Sequence, residues 1–66
     1  MGVLLDNGQE VLSDKCTEDD FKAALRKIIV KYDLDKMVAE DLLDCKTVRQ
    51  AYCVLESEPG DWTCKE

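Results

Sequence analysis

Histidine is absent from the 66 residues. That removes the commonest general base, and one of the commonest metal ligands, from any mechanism this chain could run. Long apolar runs are missing as well, so no segment has the roughly 18 apolar residues needed to span a bilayer. Glycine is sparse, and Gly2, Gly8 and Gly60 are scattered, with none opening a GxxxxGK or GxGxxG phosphate loop. Positive charge is in deficit: nine Lys and Arg stand against fifteen Asp and Glu, a formal net charge of -6. The average field of such a chain repels phosphates, which argues against general affinity for nucleic acid.

The start, Met1-Gly2-Val3-Leu4-Leu5-Asp6, lacks the basic residues and apolar stretch of a secretory signal. Asp6 also stands where N-myristoylation requires Ser or Thr. The expectation is a cytoplasmic protein with no membrane partner. In a reducing compartment Cys16, Cys45, Cys53 and Cys64 are expected to be free thiols rather than a disulfide framework. None of their spacings makes the short Cys-x2-4-Cys knuckle of structural zinc. Asp33-Leu34-Asp35 with the later Asp44 resembles a calcium loop, but Met37 stands where an oxygen ligand belongs and Val38 where glycine is required. No metal and no cofactor is therefore expected.

A single domain over residues 1–66 is expected, since a chain this short buries only roughly 60% of its unfolded surface. Val3-Leu4-Leu5 and Val11-Leu12 flank Asp6-Asn7-Gly8, and Asn-Gly is the favoured centre of a tight hairpin turn. Trp62-Thr63-Cys64 is a candidate third strand. Thr17-Glu18-Asp19-Asp20 reads as a helix start, with a Thr cap and acids in the first turn. Phe21, Ala24, Leu25, Ile28 and Tyr32 then recur at helical spacing and form one core stripe. Asp33 or Asp35 is expected to cap a second helix through Leu43. Asp44 is expected to cap a third, from Cys45 to about Ser57, closed by Pro59-Gly60. The predicted fold class is α+β: a small, mostly helical domain with an N-terminal β-hairpin packed on three helices.

Catalysis requires a nucleophile, a base and oxyanion donors brought together. Cys45 beside Lys46 at a helix start has some of an activated thiol's character, but its spacing with Val48 makes it a core residue. No catalytic residue is assigned, and the chain is read as a non-enzyme.

Met37 to Tyr52, with Leu55-Glu56 following, resembles a helix-turn-helix. Thr47-Val48-Arg49-Gln50-Ala51 and the later Leu55-Glu56 resemble the recognition helix of GntR-type bacterial regulators, a winged-helix family that binds operator DNA. That resemblance implies Lys46, Thr47, Arg49 and Gln50 in the major groove, where such side chains donate to phosphates and base edges. The stretch departs from the family pattern in a turn one residue short, in Leu43 where glycine is usual, and in too short a tail for the wing. Membership is not inferred, and a compact DNA-binding transcriptional regulator is the second reading.

The leading reading is a non-catalytic protein-binding module. In size and acidity the chain looks like small phage or mobile-element proteins that bind and inhibit a host factor. Its partner would be a protein with a basic surface, such as a nucleic-acid-binding factor, blocked by occlusion with carboxylates standing in for phosphates. The residues expected to carry this are Met37, Glu40 and Asp41 on the second helix, with Asp33 and Asp44 at its ends. Ala23 and Val30, opposite the core stripe of the first helix, mark a further contact surface, either self-association into a homodimer or cover by the hairpin.

Overall fold

The computed structural model describes residues 2–65. Along the chain run β1 (Val3–Asp6), β2 (Gln9–Ser13), α1 (Glu18–Tyr32), α2 (Lys36–Leu43), α3 (Val48–Leu55) and β3 (Trp62–Lys65). The α+β architecture is the one expected, including the third strand. β1 is the central strand of an antiparallel sheet of order β2-β1-β3.

The hairpin turns on Asn7 and Gly8, with φ of 53° and 81°. Positive φ at both central residues suits the right-handed twist of the flanking strands, and Asn and Gly adopt it at least cost. Leu4 faces Leu12 while Leu5 faces Glu10, so Val11 is an extra residue in β2, a bulge. Alternation along β1 sends Leu4 and Asp6 inward, where both are buried, and leaves Val3 and Leu5 half-buried.

α1 begins where Asp20 N–H donates to the Thr17 hydroxyl at 3.2 Å, and it buries Phe21, Leu25 and Ile28 as the stripe requires. It packs on β2 and α2, while α3 packs on β1, β3 and α2. The shared core joins Leu4 and Leu12 of the sheet to Leu25, Leu42, Val48, Ala51 and Leu55 of the three helices.

The helix ends differ from expectation in three places. Asp33 does not start α2; it terminates α1 in the left-handed conformation (φ 50°, ψ 52°), with its own N–H and that of Leu34 returning to carbonyls of the last turn. Asp35 occupies the N-cap of α2, yet its carboxylate makes no capping bond. Asp44 is the C-cap of α2 rather than the N-cap of α3. α3 starts at Val48 with Thr47 as its N-cap, because Thr47 and Gln50 three residues on close the helix start from both sides. Cys45 and Lys46 therefore lie in the connection, outside α3.

Candidate functional site

The acids of the chain divide into those with partners and those without. Asp6 is 4% exposed, and its Oδ2 accepts from the Tyr32 hydroxyl at 2.6 Å and from Lys31 Nζ at 3.0 Å. Tyr32 in turn meets Trp62 edge-on, with ring centroids 5.3 Å apart, and the Trp62 indole N–H donates to the Pro59 carbonyl. The Tyr32 hydroxyl bond, helped by Lys31 and opposed by burial, holds the Asp6 carboxyl below its ordinary range. Asp6 reciprocally raises Tyr32 and Lys31 above theirs. The seam ties the end of β1 to the end of α1 and β3.

Asp14 is consumed in a similar way. Its Oδ2 accepts from Gly2 N–H and its Oδ1 from Val48 N–H, both at 2.9 Å. The second bond satisfies one of the free amides in the first turn of α3 from outside that helix. Neither Asp6 nor Asp14 stands out in the sequence as a binding residue or a cap, because both act across long chain separations.

The predicted partner-binding residues form the other group. Met37 is 73% exposed in the first turn of α2. Glu40, Asp41 and Asp44 are exposed, and at 3.6 residues per turn they share with Met37 an arc of about 100° on α2 and its C-cap. Asp33 is exposed too, but it sits at the end of α1, off that arc. Among the described residues, none of these four carboxylates joins an ion pair. The surface is thus an apolar thioether within a rim of unpaired negative charge.

The four residues suggested for operator contact are all exposed, but the structure employs two of them otherwise. The Thr47 hydroxyl accepts from Gln50 N–H at 3.2 Å, and Gln50 Oε1 accepts from Lys46 N–H at 2.7 Å. Both side chains that would read bases are committed to capping α3, and the Asp14 carboxylate lies at the same helix end. Lys46 is outside the helix, which leaves Arg49 as its basic residue.

Cys45 is not an activated nucleophile. Burial pushes its thiol up, and the carboxylates of Asp44 and Asp41, with Cys53, push the same way. Its Sγ donates to the Asp41 carbonyl at 3.3 Å. A shallow cleft of about 310 Å³ brings Cys45 and Cys16 together with Asp14, Glu18, Lys22 and Lys46, and Asp14 is already occupied. Among the described residues all four cysteines are free, and no three His, Cys, Asp or Glu are placed to hold a metal ion. No helix of the described residues is long and apolar enough to cross a membrane. Comparison with known proteins finds no matching family model, no matching curated protein and no matching solved structure.

Proposed function

We propose that this protein is a non-catalytic binding module whose outer α2 face docks on the basic surface of another protein. The observation that carries the reading is Met37, exposed to 73% and bordered by Glu40, Asp41 and Asp44, which have no ion-pair partners among the described residues. An exposed apolar anchor loses water on docking, while surrounding charges steer the encounter and select a partner of opposite sign. Carboxylates one helical turn apart present repeated negative charge as a nucleic-acid backbone does, so a nucleic-acid-binding factor is the class of partner proposed. Blocking that factor by occlusion is the action, of the kind a phage or mobile element directs at its host. The operator-reading alternative has weaker support, because Thr47 and Gln50 are engaged in capping.

Affinity capture from cytosol, comparing wild type with Met37→Ala and with Glu40→Lys/Asp41→Lys, tests the reading. A basic protein retained by wild type and lost with both variants is expected. On purified components the charge reversal should slow association and the Met37 truncation should speed dissociation. Equal retention by all three proteins would place the interface elsewhere, and tight, salt-resistant binding to one DNA duplex would favour the alternative.

A further inference from the structure

Two large apolar side chains are strongly exposed among the described residues, Met37 at 73% and Val30 at 79%. Their surroundings have opposite sign. Val30 shares a shallow depression of about 360 Å³ with Arg26, Lys27 and Lys31, in the C-terminal half of α1. Lys31 reaches back to Asp6 yet keeps 61% of its side chain exposed, and Arg26 and Lys27 form no ion pair among the described residues. The hairpin does not cover Val30. The two patches flank the short turn through Asp33, Leu34 and Asp35, and within one chain neither covers the other.

From this complementarity we infer that the occupant of each patch is a second copy of the chain, paired reciprocally. Val30 and its cations on one protomer seat against Met37, Glu40 and Asp41 on its partner, and the same contact is repeated in the opposite direction. Such an isologous arrangement closes on itself, because a surface carrying both halves of a complementary pair is self-complementary about a two-fold axis. It brings together the two exposed apolar side chains and sets Arg26, Lys27 and Lys31 beside Glu40 and Asp41. The inference rests on the reading of the α2 face as a docking surface, and it names the chain itself as one protein with the required basic, apolar-centred patch. A dimer of this kind would hold the α2 face covered until a tighter partner displaces the second copy.

The test is a charge swap read by sedimentation equilibrium, with circular dichroism to verify folding. Wild type should show a concentration-dependent monomer–dimer equilibrium that weakens as salt rises from about 0.05 to about 0.5 M, since screening shortens the reach of exposed charges. Arg26→Glu/Lys27→Glu places acid against acid, and Glu40→Lys/Asp41→Lys places base against base. Each variant alone should dimerise at least about tenfold more weakly. Mixed in equal amounts they should recover a heterodimer, because both contacts again join opposite charges. Val30→Ala, the mildest change to the other patch, should weaken the wild-type dimer without altering its salt dependence. A wild type that is monomeric throughout, a dimer indifferent to both reversals, or a mixture that fails to associate would each overturn the inference. A monomeric wild type that still captures a basic protein through Met37, Glu40 and Asp41 would overturn self-pairing alone and leave the docking face standing.

Discussion

The seam between β1 and α1 and the outer face of α2 use the same functional group for opposite purposes. At the seam one carboxylate, Asp6, is buried beneath a tyrosine hydroxyl and a lysine, and near α3 a second, Asp14, takes two backbone amides. On α2 the carboxylates of Glu40, Asp41 and Asp44 are exposed and, among the described residues, without ion-pair partners. A buried or amide-bound carboxylate is costly to leave unmatched, so its partners reveal work for the fold. An exposed one costs little and adds little, so the acids around the exposed methionine are free to serve the docking face proposed above.

The first way to break this comparison is at Asp14. Asp14→Ala removes acceptors from Gly2 and Val48 at once, and the lost helix-start bond alone is of the kind that stabilises by about 1 kcal/mol. A destabilisation of about 2 kcal/mol is expected, measured by urea unfolding, and Asp14→Asn, whose amide keeps one acceptor oxygen but sets an NH2 donor against the other backbone N–H, should recover only part of it. An unchanged midpoint would mean that Asp14, itself exposed, does no more for the fold than the acids of α2.

A smaller effect at neutral pH, but a diagnostic one, is expected at Asp6. Its folded pKa is depressed, so its contribution is present above the ordinary aspartate value near 3.8 and is lost as pH falls through the depressed value. Lys31 and Tyr32 are raised, so theirs is present below 10.5 and 10.0 and is lost as pH climbs through the raised values. Lys31 is largely exposed and its share is screened; the Tyr32 bond is the greater part. Asp6→Asn should therefore flatten both the acid and the alkaline limbs of thermal midpoint against pH. A profile parallel to wild type on both limbs would remove the seam from the stability account.

How much of this was legible in the sequence follows from chain distance. The Asn7-Gly8 turn, the Thr17 cap and the Phe21–Tyr32 stripe depend on neighbours within a few residues, and periodicity exposes them. The start of α3 was misplaced because Asp44 is as good a cap residue as Thr47; what decides is Gln50, three residues after Thr47 and able to close the turn from the other side. Asp6 looked like a turn residue, and only the pairing of β1 with β3 brings Trp62 beside it. Asp14 gave no local signal at all, since its amides come from Gly2 and Val48. On the candidate site, helical spacing groups Met37 with Glu40 and Asp41 on α2, but it does not separate Asp33, which is left-handed and caps the end of α1.

The subtlest expectation concerns the sign of the effect when the α2 acids are reversed. Asp41 lies in the last turn of α2 and Asp44 at its C-cap, and that last turn holds no basic residue. Negative charge there faces the negative end of the helix dipole, and Glu40 and Asp44 one turn apart repel each other, each by a few tenths of a kcal/mol. If these acids served the fold, this is where they would serve it worst. Glu40→Lys/Asp41→Lys should accordingly leave stability unchanged or raise it by up to about 0.5 kcal/mol, in denaturant titrations run at low salt where the difference is largest. Because the Cys45 thiol bonds to the main-chain carbonyl of Asp41, the substitution leaves that contact in place and the reading is of charge alone. A loss above about 1 kcal/mol would show that the acids hold α2 in position, and the distinction between acids that build the domain and acids that face a partner would fail. A neutral or stabilising result combined with lost binding would mean that the chain keeps these charges at a cost to its own helix, which selection for folding alone does not explain.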